Sequence, residues 1–114
     1  MLEKNNRICL NKEFDRVFKT GHSFYAKELG IKLVENDREK TRFGILVGLK
    51  VSKKAVARNK IKRQIRAIIR ENIPLIKDGK DIIIVTLPEI INSSYESIEK
   101  SLRLGFKKLN LYKN

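Results

Sequence analysis

The chain has 114 residues, with 26 Lys and Arg against 13 Asp and Glu, giving a formal net charge of +13. Its 41% hydrophobic content suits one modest core, which excludes a purely disordered basic tail and a second domain. One cysteine (Cys9) excludes an internal disulfide, and one cysteine with one histidine (His22) argues against a structural zinc site, which wants four such ligands.

In chain order, Met1–Asn6 has no apolar signal core. Asn11-Lys12-Glu13-Phe14 opens a short helix: Asn11 suits the N-cap, and acids follow in the first turn. Phe14, Val17 and Phe18 recur at i, i+3, i+4, and Gly21 suits the C-cap. Ser23–Glu35 reads as one strand, in which Leu29, Ile31 and Leu33 alternate with Gly30, Lys32 and Val34. After a polar turn over Glu35–Lys40, Thr41–Val51 is a second extended stretch. Ala55 to about Asn72 is the strongest helical pattern. Asp81–Leu87 reads as a buried strand closed by Pro88. Ser93-Ser94-Tyr95-Glu96 resembles a capping box, and the helix it opens sets Tyr95, Ile98, Leu102, Phe106 and Leu109 on one stripe. These elements predict an α+β fold, a single-domain α-β sandwich over residues 1–114 with order αβββαβα or αββαβα. The apolar runs Phe43–Leu49 and Ile82–Val85 fall far short of the ~20 residues that span a bilayer. The expectation is a soluble, cytoplasmic protein of a reducing compartment, with no membrane partner.

The charge is concentrated. No acid lies between Glu39 and Glu71, and that gap holds eleven bases, leaving only +2 for the rest of the chain. Like charges on one surface repel and cost stability, so an acid-free stretch this long points to a polyanionic partner. On the central helix, Ala57, Ile61, Ile65, Ile68 and Ile69 share one face. Arg58, Lys62, Arg66 and Arg70, four apart, form a cationic stripe, with Asn59 and Arg63 beside it. Successive cations stand about 6 Å apart, comparable with the separation of phosphates along a nucleic-acid strand. Arginine adds a planar fork that grips phosphate through two hydrogen bonds. Lys50, Lys53 and Lys54 precede the helix start, where amide donors also favour anions.

At this point the residues become specific. Lys53-Lys54-Ala55-Val56-Ala57-Arg58-Asn59-Lys60-Ile61-Lys62-Arg63-Gln64-Ile65-Arg66 resembles the signature of the bacterial ribonuclease P protein subunit family. That signature reads approximately Lys-Lys-x-x-x-x-Ala-Val-x-Arg-Asn-Arg-x-Lys-Arg-x-x-Arg. Phe14-Asp15-Arg16-Val17-Phe18-Lys19-Thr20-Gly21 matches the family's Phe-x-x-Val-Phe-Lys-x-Gly. Lys60 stands where the family has a second arginine, keeping charge without the fork. Either Lys50 or Lys53-Lys54 stands for the family's Lys-Lys pair.

The resemblance implies a left-handed βαβ crossover around the basic helix, against the usual right-handed rule. It also implies a partner, the catalytic RNA of ribonuclease P, which with Mg²⁺ removes the 5′ leader of precursor tRNA. By the same likeness, Lys50, Lys53, Lys54, Arg58, Asn59, Lys60, Lys62, Arg63, Arg66 and Arg70 bind RNA. The single-stranded leader lies in a cleft between the sheet and the first helix, lined by Phe14 and Phe18. Lys32 takes the place of a family aromatic there, and Phe24 and Tyr25 are secondary candidates. Phe14 and Phe18 equally suit a core by periodicity alone. The free protein is expected to be monomeric.

No catalytic constellation of its own is legible. His22 follows a helix-capping Gly and has no second histidine to pair with. Asp78 and Asp81 flank Gly79-Lys80 in a turn, as turn chemistry favours. Composition alone also fits a small basic ribosomal protein or another structural RNA-binding module. A DNA major-groove helix is a third reading, but no shorter helix precedes the basic one as a helix-turn-helix needs.

Overall fold

The computed structural model describes residues 22–36 and 39–113. The expected first helix, with Phe14, Phe18 and Gly21, lies outside the described residues, as does Cys9. The strands are β1 (His22–Tyr25), β2 (Leu29–Glu35), β3 (Arg42–Leu46) and β4 (Lys80–Thr86). The helices are α1 (Ala55–Asn72) and α2 (Tyr95–Lys108), with short 3-10 turns at Ile73–Leu75 and Pro88–Asn92. The sheet order is β1-β2-β4-β3. β2 is antiparallel to both β1 and β4, whereas β3 runs parallel to β4, so α1 is the helix of a β3–α1–β4 crossover.

Ser23–Glu35, expected as one strand, is a hairpin, so the described elements follow the order βββαβα, which fits αβββαβα rather than αββαβα. No Gly, Pro or Asn marks the turn at Ala26-Lys27-Glu28, so turn chemistry does not announce it. It is held by one bond of its own and by contacts from outside. The Ala26 N–H donates to the Leu29 carbonyl at 2.8 Å, and the Leu87 N–H to the Glu28 carbonyl at 2.9 Å. The Glu28 side chain, only 7% exposed, accepts from the hydroxyls of Ser93 at 2.8 Å, Ser97 at 2.9 Å and Ser101. Burial works against ionisation of Glu28. Hydrogen bonds from Ser101, Ser93 and Ser97, with the charge of Lys27, outweigh it and hold the carboxyl below its ordinary value.

The stretch expected to be extended over Thr41–Val51 stops at Leu46. Its last pair is Leu46 with Val85, and its parallel partner β4 ends one residue later at Thr86, two residues before Pro88, so the ladder cannot run on to Val51. The Thr86 hydroxyl closes the end by donating to the Leu46 carbonyl at 2.8 Å.

The core lies between one sheet face and the two helices. Leu29, Ile31, Leu33, Phe43, Ile82 and Ile84 meet Ile61, Ile65, Ile68 and Ile69 of α1, and Ile98, Leu102 and Phe106 of α2. Phe106 packs edge-on against Phe43 and Tyr112, with centroids 6.4 and 6.0 Å away. Gly105 lets α2 approach the sheet: a Cβ there would lie 2.8 Å from the Phe24 ring and closer still to the Ile31 terminal methyl. Ser94 caps α2 by accepting from the Ser97 N–H at 3.1 Å. The third helical position is thus Ser97, and Glu96 serves only as a first-turn acid.

Candidate nucleic-acid interface

α1 begins without help from its own sequence. Lys54 is the N-cap, no side chain caps it, and the first turn holds no acid. Lys53 and Lys54 therefore sit at the positive end of the helix dipole, the wrong sign for an isolated helix and the right sign for an arriving anion. Both are exposed, as is Lys50 in the preceding turn. The Ser52 hydroxyl accepts from the Lys54 N–H at 3.1 Å, and the Arg58 guanidinium donates to the Ser52 carbonyl at 2.8 Å. Arg58 thus braces the loop before the helix, a role its spacing did not disclose.

Along α1, Asn59, Lys60, Arg63 and Arg70 are exposed, while Arg58, Lys62 and Arg66 are half-buried. The summit of the ridge is therefore Asn59, Arg63 and Arg70, with the Arg58–Lys62–Arg66 row along its flank. Among the described residues no carboxylate lies within ion-pair distance of Lys50, Lys53, Lys54, Lys60, Lys62, Arg63, Arg66 or Arg70. Arg42, from the same acid-free stretch, is different. It is buried, and its guanidinium makes a two-pronged contact with Asp81, Nε to Oδ1 at 2.9 Å and Nη2 to Oδ2 at 2.6 Å. The two residues are paired in register across β3 and β4, and the Asn36 amide adds a third bond to Asp81 at 2.6 Å. Asp81 is thus a structural partner of Arg42, while Asp78 is exposed in the turn.

The sheet face turned away from α1 and α2 carries the second set of groups. Register places Tyr25, Gly30, Val85 and Leu46 in one row across all four strands on that face. Tyr25 is 56% exposed, and a Cβ on Gly30 would come within 2.6 Å of its ring. Glycine here lets the ring lie flat across β2. Lys32, half-buried in the adjoining row, holds its Nζ 5.7 Å from the ring centroid. Ile83, Val34 and Val85 form a small apolar patch on the same face. Leu46 leads into the turn that bears Lys50, so this row and the α1 cations adjoin. Phe24 points the other way, into the core. Tyr25 emerges as the aromatic of this face; the alternation of β1 and β2 discloses it only once the hairpin is recognised. His22 is exposed at the start of β1.

An aromatic and aliphatic strip beside a helix whose cations lack carboxylate partners among the described residues, on a four-stranded α+β scaffold, suits a protein that holds single-stranded and folded polyanions. The comparisons give this class a family. The family model for ribonuclease P matches residues 2–110, and the chain belongs to that family. It is 39% identical over 112 residues to the ribonuclease P protein component of Syntrophomonas wolfei, covering 98% of this chain and 93% of that one. It is 36% identical over 115 residues to that of Bacillus velezensis, covering 98% and 96%. The solved Staphylococcus aureus RNase P protein superposes with a TM-score of 0.87 at 31% identity, over 95% of this chain and 98% of that one. The Thermotoga maritima RNase P protein does so with a TM-score of 0.77 at 28% identity, over 86% and 92%. No helix among the described residues is long and apolar enough to cross a membrane.

Proposed function

We propose that this chain is the protein subunit of ribonuclease P. It grips the catalytic RNA with α1 and the loop before it, and aids removal of the 5′ leader from precursor tRNA. Lys50, Lys53, Lys54, Arg58, Asn59, Lys60, Lys62, Arg63, Arg66 and Arg70 form the RNA-facing surface. The leader crosses the sheet face turned away from α1 and α2, over Tyr25 and Lys32; Phe14 and Phe18, which lie outside the described residues, remain the leader-binding candidates that the family likeness supplies. A stacked base is worth ~1–3 kcal/mol, enough to favour a precursor over a mature tRNA that lacks a leader. The observation that carries this reading is the row of cations on α1 with no carboxylate partner among the described residues.

In this reading the RNA is the catalyst and the protein supplies charge and position. Mg²⁺ then belongs mainly to the RNA. Among the described residues no three His, Cys, Asp or Glu side chains converge to hold a metal, so no step is assigned to a protein-bound ion. Bringing catalytic RNA and substrate together opposes two polyanions. Fixed cations lower that repulsion and with it the Mg²⁺ required. With a net charge of +13, copies of the free protein repel, which favours a monomer until RNA is bound.

The test is cleavage of precursor tRNA by the catalytic RNA at limiting Mg²⁺. Added protein should restore cleavage, and it should raise the holoenzyme's affinity for leader-bearing precursor more than its affinity for mature tRNA. Equal rates with and without protein would overturn the proposal.

A further inference from the structure

We infer that a groove between α2 and the C-terminal segment is a second RNA-binding site. It takes a short single-stranded stretch, with a base on its apolar floor and phosphates on its cationic rim. The groove is shallow and open to solvent, with about 580 Å³ of space above its floor. Its floor is Leu75, Leu104 and Tyr112, with Leu75 52% and Leu104 45% exposed.

One wall is rigid. The Lys113 N–H donates to the Leu75 carbonyl and the Lys77 N–H to the Leu111 carbonyl, both at 2.8 Å, around a bridge between Ile76 and Tyr112. The Tyr112 hydroxyl donates to the buried Asn72 side chain at 2.8 Å, and its ring is fixed edge-on against Phe106. The rim is charged. Lys100, Arg103 and Lys107 follow at i, i+3, i+7 on α2, and Lys113 comes from the C-terminal segment. Among the described residues no acid lines the groove. Glu99 approaches Arg103 at 3.5 Å, but a long i,i+4 pair with a half-exposed arginine is weak and competes poorly with a phosphate.

The charge selects the occupant. A second copy of the chain brings more cations, and a stable protein partner needs an interface of roughly 1,000 Å² or more, whereas three side chains make the apolar floor. A ribonucleotide strand supplies anions at the spacing of the rim and a flat base for the floor. The groove also starts where the α1 ridge ends: Asn72, which holds Tyr112, lies two residues past Arg70. The inference rests on the RNA-binding reading only for the class of partner.

The experiment photo-crosslinks the full chain to an oligouridylate carrying one 4-thiouridine and maps the adduct. An adduct within residues 100–113 is expected. It should fall at least tenfold in an Arg103→Glu/Lys107→Glu variant assayed well below its own Tm, and persist in an Arg63→Ala/Arg66→Ala variant. The log–log salt slope of oligonucleotide binding should shrink by about 1.4 in the charge-reversal variant, two contacts at ~0.7 each. The inference fails if no adduct forms there, if charge reversal leaves it unchanged, if the ridge variant also abolishes it, or if an acidic peptide displaces the oligonucleotide from it. Failure of the main reading looks different: affinity for the catalytic RNA indifferent to the ridge variant.

Discussion

Replacing Arg63 and Arg66 together with alanine separates binding from folding. Arg63 is exposed, Arg66 is half-buried on the flank of the ridge, and neither has a carboxylate partner among the described residues. Their loss opens no cavity, and alanine is the better helix former, so thermal stability should stay within about 0.5 kcal/mol of the parent. Eight cations on and before α1 have no carboxylate partner among the described residues. Engagement of five to eight would give a log–log salt slope of roughly −4 to −7. Two fewer contacts shrink it by about 1.4–1.8, at ~0.7–0.9 per phosphate. Exposed pairs are screened, so about 1–2 kcal/mol in total, a five- to thirtyfold loss of affinity near physiological salt, is the appropriate scale. Filter binding or anisotropy with the catalytic RNA, titrated across salt, measures both quantities. An unchanged slope would show that α1 is only a solvated face. Arg58 makes the contrast: because its guanidinium donates to the Ser52 carbonyl, Arg58→Ala should also loosen the helix start and lower Tm.

Glu28→Ala leaves three serine hydroxyls without their shared acceptor. A bond to a charged group is worth ~1.5–3 kcal/mol, and half-exposed Ser93, Ser97 and Ser101 can turn to water. A net loss of about 2–3 kcal/mol in chemical denaturation is therefore expected, with Glu28→Gln retaining part of it. Because the carboxyl is held below its ordinary value, its contribution is full above the ordinary carboxylate range and fades as pH falls through the lowered value. The parent and Glu28→Gln should thus converge in acid, and a gap that widened there would contradict this. Asp81→Ala strands the buried Arg42 guanidinium and should cost about 3–5 kcal/mol, read as a fall in denaturation midpoint. Gly105→Ala gains about 1 kcal/mol in helix propensity but drives a methyl against Ile31 and Phe24. A net loss of about 1–2 kcal/mol is expected, and a stabilised variant would show that α2 can lift off the sheet.

Where periodicity and chemistry agree, the sequence was readable. The α1 pattern spans Ala55–Asn72 in both, because four isoleucines at helical spacing leave no competing element. The same holds for β4, whose apolar residues are bounded by Pro88. The hairpin at residues 22–35 was not readable, because a carboxylate captured by serines more than sixty residues away makes its turn. β3 ended early for a similar reason: a parallel strand is only as long as its neighbour. At the interface, the positions of the cations were legible and their roles were not. Arg42 and Arg58 carry the same charge as Arg63, yet one is buried against Asp81 and one braces a loop. Pairings across 39 and six residues are set by the fold rather than by local pattern.

The folded chain sorts its charges. The described ion pairs, Lys27–Glu89, Arg42–Asp81, Lys80–Glu35 and Arg103–Glu99, spend carboxylates outside residues 50–70. α1 is left with repulsion along its length and two lysines at the positive end of its dipole, a penalty of ~0.3–1 kcal/mol each at low ionic strength. Ile61, Ile65, Ile68 and Ile69 are fully or almost fully buried and supply roughly 6–12 kcal/mol of gross burial, so the helix forms regardless. The strain should then be visible as a salt effect of opposite sign to that on RNA binding. Raising KCl from 0.1 to 1 M shortens the screening length from ~10 to ~3 Å. It should stabilise the free protein by about 1–2 kcal/mol, a rise in Tm of about 4–8 °C at ~4 °C per kcal/mol. The Arg63→Ala/Arg66→Ala variant should show a smaller rise. A parent Tm that stayed flat or fell over that range would mean the ridge is already neutralised within the free protein, leaving no repulsion for RNA to relieve.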